Sequence, residues 1–294
     1  MNSNEQRPII LLIGNKGQIG WELQRTLILL GKVVAIDFPQ LDLADPDQIR
    51  SRVREIKPHV IINAAAYAAV DQAEKEADKA MQVNGIAPGI LAEEAKRLSA
   101  SFVHYSTDYV FDGNRAHPYT EEDEPNPLNV YGKTKLAGEH AIQAVDGAYL
   151  ILRTSWVYGK RGNNFLLTIL RLARERDEIR VVNDQIGAPT WCRLVAEGTA
   201  QILAQTRLNL HDVKGVYHIT SQGETSWYGF ASQIVEKAFD PANRRPRVIP
   251  IASRDYPALA TRPKYSVLST AKLQRIFNIQ LPNWSIGLEM VFDG

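Results

Sequence analysis

Residues 8–20 constrain the fold more than any other stretch. Pro8-Ile9-Ile10-Leu11-Leu12-Ile13 is a continuous apolar run, which reads as a parallel strand buried on both faces. It runs straight into Gly14-Asn15-Lys16-Gly17-Gln18-Ile19-Gly20, after which Trp21, Leu23, Leu27 and Leu30 fall at helical spacing. Strand, G-x-x-G-x-x-G turn and helix, in that order, make a variant of the dinucleotide-binding fingerprint. The glycines permit a tight turn and bring backbone N–H groups close to a pyrophosphate at the helix N-terminus. Gly14, Lys16, Gly17, Gln18, Ile19 and Gly20 are therefore candidate cofactor-binding residues. The competing reading is a plain glycine-rich turn.

The next segments fit the same plan. Gly31 closes the helix, and Val33–Ile36 make a second strand ending in Asp37, 23 residues past Gly14. An acid at about that distance holds the adenosine ribose hydroxyls. Its carboxylate would repel a 2′-phosphate, so NADH is expected over NADPH, with NADPH still admitted. Asp42 and Leu43 are placed to flank an adenine. The third strand, His59–Ile62, ends in Asn63-Ala64-Ala65-Ala66, whose small side chains let a cofactor lie close to the backbone. A long helical pattern follows over Ala77–Leu98. Phe102–Tyr105 then delivers Ser106-Thr107-Asp108 to a strand's carboxyl end, where ligands sit in open α/β sheets.

The chemistry-bearing pair is Tyr131 and Lys135, in Asn129-Val130-Tyr131-Gly132-Lys133-Thr134-Lys135. Four residues apart at a helix start, they share one face. An ammonium beside a phenol favours the phenolate, so Lys135 is expected to lower the Tyr131 pKa from about 10 and fit it for proton transfer. Thr107 offers a hydroxyl to the same substrate oxygen. The polar loop at 112–129 is long for a compact domain, which favours a functional one. A fifth strand, Tyr149–Leu152, leads to Trp156, expected to be exposed enough to stack on a ring or sugar face. Further on, Thr190 reads as a helix N-cap, and arginines near 262 as groups able to grip a diphosphate.

Composition excludes several classes. A formal net charge of +1 gives no bulk attraction to nucleic acid or an anionic membrane. The single cysteine, Cys192, rules out an internal disulfide or a cysteine-rich metal site and reads as a buried structural thiol. The first residues carry no export-type apolar segment, and no apolar run reaches the eighteen or so residues that span a bilayer. A cytoplasmic protein is expected, as a monomer or homodimer.

Together these residues resemble the extended short-chain dehydrogenase/reductases, and more narrowly the dTDP-4-dehydrorhamnose reductase family. The resembling segments are Gly14–Gly20, Asn63–Asp71, Ser106–Phe111 (S-T-D-Y-V-F), Pro127–Glu139, Leu152–Gly159, Asp184–Thr190 (D-Q-I-G-A-P-T) and Arg262–Leu268. The resemblance implies an α/β fold: a Rossmann-type doubly wound parallel sheet over 1–160, with parts of 185–220 returning to it. A smaller C-terminal α/β sugar-nucleotide-binding domain would occupy 161–294. It implies NAD(P)H-dependent reduction of the C4 keto group of a dTDP-sugar, with Tyr131, Lys135 and Thr107 catalytic. Lys135 would bind the nicotinamide ribose, with Ala64, Ala65 and Ala66 beside the cofactor. Val70, Thr107, Asp108, Tyr109, Trp156, Gln185 and Thr190 would line the substrate site. Two positions depart from the family pattern: Tyr265 stands where Asn is common and Ser269 where Asp is. Magnesium-linked dimers occur in some members, but no ligand set matches here, so no metal is expected. The alternatives are another sugar-nucleotide reductase or epimerase on this scaffold, or a non-catalytic subunit like the regulatory partner of methionine adenosyltransferase. The absence of an acid pair after Thr107 argues against a dehydratase.

Overall fold

The computed structural model describes residues 7–239 and 245–293; the first six residues, part of the stretch read for an export signal, lie outside that range. The central sheet has strands β1 (Ile9–Ile13), β2 (Lys32–Ile36), β3 (Val60–Asn63), β4 (Ser101–Thr107), β5 (Tyr149–Thr154) and, after an unrelated β6 (Glu178–Val182), β7 (Gly215–His218). These six are all parallel, in the order β7-β5-β4-β3-β1-β2. Parallel strands need crossovers, and helices supply them on both faces: α1 (Gln18–Leu27), α2 (Pro46–Ile56), α3 (Ala87–Arg97), α4 (Val130–Val145), α5 (Phe165–Glu175) and α6 (Cys192–Gln205).

The strand period of two decides which side chain enters which core. Ile10 and Leu12 face one way, with Leu23 and Leu27 of α1 and Val195 and Ile202 of α6. Leu11 and Ile13 face the other, with Ile49 and Val53 of α2, Leu91 of α3 and Ile142 of α4. A sheet with both faces covered is the doubly wound architecture. A third core forms beside it. There β6 pairs in parallel with β8 (Arg247–Ile251), and α5, α7 (Trp227–Ala238) and α9 (Trp284–Asp293) bury Leu166, Ile169, Phe230, Ile234, Leu288 and Trp191. Cys192 is also buried there, and burial pushes its thiol up to about 12. The short α8 (Ala271–Phe277) packs on the first core through Leu273 and Phe277.

The helix expected over 77–98 is present and continuous from Ala77 to Arg97, with a π-helical turn at Gln82–Ile86 between Ala77–Met81 and α3. Pro88 has no N–H to give Asn84 O, and Gly138 of α4 comes so close that a Cβ there would sit 2.1 Å from that oxygen. The expectation that Thr190 caps α6 is corrected. Trp191 occupies the cap position without a side-chain bond, and the fully buried Thr190 hydroxyl donates to Ala188 O at 3.0 Å. The 112–129 loop is anchored by its buried Tyr119. Phe111 and Tyr119 stack at 4.2 Å and form a small core with Val110 and Leu268. No helix of the described residues is long and apolar enough to cross a membrane.

Candidate active site

The strand order reverses between β1 and β3, and ligands of open sheets lie at the carboxyl ends of such strands. The three glycines there differ. Gly14 has a φ of +86°, and a Cβ on it would lie 2.5 Å from Ala65 N; a Cβ on Gly20 would lie 2.0 Å from Gly14 O. Both are buried, and the fold itself requires them. Gly17 is exposed at the N-cap of α1, where a Cβ would meet only Gly14 O at 3.3 Å and Ala64 O at 4.0 Å. No side chain caps α1 and its first turn holds no acid, so its first N–H groups are available to an anion. A dinucleotide pyrophosphate fits that arrangement.

Around this turn, Asp37 accepts from Lys16 N at 2.9 Å and Phe38 N at 2.8 Å, while Lys16 Nζ donates to Phe38 O at 2.7 Å. Ala64 and Ala65 are half-buried and Ala66 is exposed at the end of β3. Gln18 and Ile19 have packing roles: Gln18 Oε1 accepts from Asn164 Nδ2 at 2.9 Å, and the Ile19 side chain packs against two cores. The expectation of a Leu43 side chain flanking adenine is corrected, since Leu43 is buried in the second core; Asp42 beside it accepts from Ala44 N at 2.9 Å.

At the carboxyl end of β4, Thr107 accepts from Tyr109 N and donates to Asp108 Oδ1, each at 3.1 Å. Asn129 caps α4 by accepting from Gly132 N at 2.8 Å, which sets Tyr131 in the first turn. Tyr109 meets the Tyr131 ring edge-on at 5.9 Å. The expected acidification of Tyr131 by Lys135 is corrected. Burial pushes the phenol up to about 12, with Thr107 pulling it down and Asp108 pushing it further up. Lys135 is buried and turns into the sheet, donating to Tyr105 O at 2.5 Å and lying 3.0 Å from His104 Nε2. Burial lowers its ammonium to about 8, and Glu139 opposes that fall. Tyr131 is thus a protonated phenol at neutral pH, the form that gives a proton to a carbonyl oxygen. Asp108, also buried, is raised to about 7 by burial, against bonds from Ser266 and Thr107.

The remaining candidates are spread around this group. Val70 opens the short helix Val70–Ala73, whose Asp71 accepts from Arg262 Nη2 at 2.6 Å and from Leu259 N and Ala260 N. Arg262 therefore holds Asp71. Gln185 Nε2 donates to Ser253 Oγ at 2.9 Å. Thr190 is corrected as a substrate contact, since its buried hydroxyl donates to Ala188 O and accepts from Ser221 N. Trp156, expected to be open, is half-buried with a φ of +45°, and its ring stacks on Trp227 at 3.5 Å and 3°. Gly187 makes room for it: a Cβ there would sit 2.4 Å from Trp156 Cε2.

Three features escaped the sequence reading. Trp227 lies far along the chain from the ring it supports. Glu139 and Arg153 form a buried ion pair at 2.6 Å beneath Lys135. Asn63 and His104 join across β3 and β4 at 3.2 Å. Only the last carried a signal, a polar residue in each of two otherwise apolar strand runs.

The profile of the RmlD substrate binding domain family matches residues 8–294. A dTDP-4-dehydrorhamnose reductase of Burkholderia thailandensis is 48% identical over 288 residues, covering 95% of this chain and 97% of its own. The corresponding reductase of Escherichia coli K12 is 44% identical over 296 residues, covering 97% of each. The crystal structure of the Bacillus anthracis dTDP-4-dehydrorhamnose reductase in complex with NADP superposes with a TM-score of 0.90 at 39% identity, covering 98% of this chain and 99% of its own. With the glycine turn, Tyr131 and Lys135 one turn apart on α4, and a full-length match in sequence and structure, this chain belongs to the dTDP-4-dehydrorhamnose reductase family of oxidoreductases.

Proposed function

We propose that this chain reduces the C4 keto group of dTDP-4-dehydrorhamnose, giving dTDP-L-rhamnose. The observation that carries the reading is the grouping of Thr107 at the carboxyl end of β4 with Tyr131 in the first turn of α4, beside Tyr109, with the phenol held protonated by desolvation. A bound dihydronicotinamide supplies the hydride. Tyr131 gives its proton to the C4 oxygen, and Thr107 orients that phenol while offering a polar contact to the developing alkoxide. Lys135 stands one helical turn beyond Tyr131 and supports both the phenol and the cofactor ribose. Gly17 and the first N–H groups of α1 hold the pyrophosphate. Asp37 takes the adenosine ribose hydroxyls and favours NADH, while the exposed Lys16 ammonium beside it admits NADPH. Trp156, backed by Trp227, offers its edge and free surface to the sugar nucleotide, with Val70, Asp108, Tyr109 and Gln185 around it. Residues 1–160 chiefly serve the cofactor and 161–294 the sugar nucleotide, in a cytoplasmic monomer or homodimer.

The test is incubation of the purified protein with dTDP-4-dehydrorhamnose and either NADH or NADPH, following loss of reduced-nicotinamide absorbance and formation of dTDP-L-rhamnose. Tyr131→Phe should abolish turnover and leave cofactor binding intact. Epimerisation without net consumption of the reduced nucleotide would overturn the reading, as would full activity in the Phe variant.

A further inference from the structure

The turn that follows β2 divides its large apolar side chains between core and solvent. Leu41 and Leu43 are 2% and 8% exposed and belong to the second core, whereas Phe38 is 63% exposed and packs in none of the cores of the described residues. A single exposed apolar side chain is ordinary. What sets this one apart is its backbone, which is fastened on both sides. Phe38 N–H donates to Asp37 Oδ1 at 2.8 Å, and Phe38 O accepts from Lys16 Nζ at 2.7 Å. Asp37 O accepts from Gln40 N at 2.8 Å and from Leu41 N at 3.2 Å, which closes the turn. Asp37 Oδ2 accepts from Lys16 N at 2.9 Å. The phenyl ring is therefore carried on a turn tied directly to the glycine turn at the N-terminus of α1.

That position matters because of how a dinucleotide is built. Its pyrophosphate fits the first N–H groups of α1, and the acid at the end of β2 is the one that takes the adenosine ribose hydroxyls. Adenine is bonded to the ribose carbon next to the one bearing the 2′-hydroxyl. With the hydroxyls on Asp37, the base lies beside the turn that begins there. β2 is the edge strand of the sheet, so no further strand end supplies side chains on its outer side. Within the turn, Asp42 faces the start of α2: its N–H donates to Gln48 Oε1, and its Oδ1 accepts from Ala44 N at 2.9 Å. Leu43 is buried. Neither residue first read as flanking adenine offers the base a flat apolar face, and Phe38 does.

We propose that Phe38 is a cofactor-binding residue: its ring is the platform on which the adenine stacks, held in place because Asp37 and Lys16 grip the peptide groups on either side of it. This deepens the cofactor half of the reductase reading and rests on it for the place of the pyrophosphate. Stacking reads the face of the base and is indifferent to the group at the 2′ position. Phe38 therefore serves NADH and NADPH alike, and the choice between them is left to Asp37 and Lys16.

The test is equilibrium binding of ADP-ribose, which carries the adenosine and the pyrophosphate but no nicotinamide, to the full-length protein by titration calorimetry. Removing an aromatic platform from under a nucleobase weakens binding by about 5-fold to 150-fold, and Phe38→Ala should show that loss. Phe38→Tyr, which keeps the ring, should bind as the parent does. The ring is exposed, so the urea midpoint of Phe38→Ala should stay where it is. IDP-ribose, whose hypoxanthine keeps the flat face and lacks the amino group, should lose affinity in Phe38→Ala by the same factor. An ADP-ribose affinity unchanged in Phe38→Ala overturns the proposal, as does a loss confined to the adenine ligand. If Phe38→Ala loses ADP-ribose and the parent chain reduces no dTDP-sugar, the reductase reading falls and the adenine platform stands. If the parent reduces the sugar and Phe38→Ala binds ADP-ribose as tightly, the platform falls and the reductase reading stands. A parent chain that binds no ADP-ribose overturns both.

Discussion

Replacing Gly17 by alanine separates what the glycine turn does for the fold from what it does for a cofactor. Gly17 has φ −69° and ψ 166°, a conformation any residue adopts, and its Cβ would meet nothing closer than Gly14 O at 3.3 Å. The folded state tolerates the methyl with a small shift, and the unfolded chain loses freedom worth about 0.4–1 kcal/mol. Stability should therefore change by less than about 1 kcal/mol. The open side of Gly17 is where a pyrophosphate oxygen would meet the N–H groups of α1. A methyl there displaces one charge-assisted hydrogen bond worth about 1.5–3 kcal/mol, so the dissociation constant for NADH should rise between about 10-fold and 150-fold. Gly20→Ala is the control: its Cβ would lie 2.0 Å from Gly14 O, so it should lose several kcal/mol or fail to fold. Urea denaturation and nicotinamide fluorescence titration on the two variants give both quantities. If Gly17→Ala binds NADH as tightly as the parent chain, the pyrophosphate does not lie where the turn puts it.

Other outcomes follow from the buried charges and the ring pair. Glu139→Gln leaves the Arg153 guanidinium, 3% exposed, facing a neutral amide, and should cost about 3–5 kcal/mol in chemical denaturation; a cost below 1 kcal/mol would show the pair to be dispensable. Trp227→Ala removes the surface on which Trp156 lies, and should raise KM for the nucleotide sugar by about tenfold, roughly 1.4 kcal/mol, with Trp227→Phe close to the parent; an unchanged KM would take Trp156 out of the substrate site. Asp108 is raised to about 7 from 3.8 in the folded state, so its contribution is full below about pH 4 and is lost as pH rises through 7. At about 1.4 kcal/mol per tenfold in proton affinity, that is on the order of 4 kcal/mol. Asp108→Asn should therefore be more stable, relative to the parent, at pH 8 than at pH 5, and equal differences at the two pH values would refute it. His218 is depressed to about 3 by burial, Arg153 and Lys272, so its contribution is present above about pH 6.5 and fades as pH falls toward 3; His218→Gln should flatten that acid limb in urea titrations from pH 7 to 4.

What the amino-acid order made legible was local. A strand, a turn and the start of a helix within thirteen residues determine each other's geometry, so Gly14–Gly20 read correctly as the turn joining the first strand to the first helix. Tyr131 and Lys135 read correctly as neighbours on one helix, because four residues fix a face. Their electrostatics did not, because burial of both groups and the Tyr105 carbonyl outweigh their adjacency. Long-range partners were hidden for the same reason. Arg262 meets Asp71 across 191 positions, and nothing near either residue announces the other. Trp156 was read as open because a tryptophan past a strand end has no local partner; Trp227 and the space left by Gly187 are set by tertiary packing. Thr190 has the composition of a helix cap, but a carbonyl two residues back takes its hydroxyl first.

Strand β7 pairs with β5 in register from Gly215–Leu150 to His218–Arg153, although about sixty residues of chain intervene. During synthesis from the N-terminus, β5 emerges with one flank of N–H and C=O groups bare, and it stays bare until β7 has been made. An unpaired flank is a template for wrong partners. A ribosome stalled between residues 160 and 214 should therefore display a nascent chain prone to capture by holding chaperones, and release of that hold should wait on residue 218.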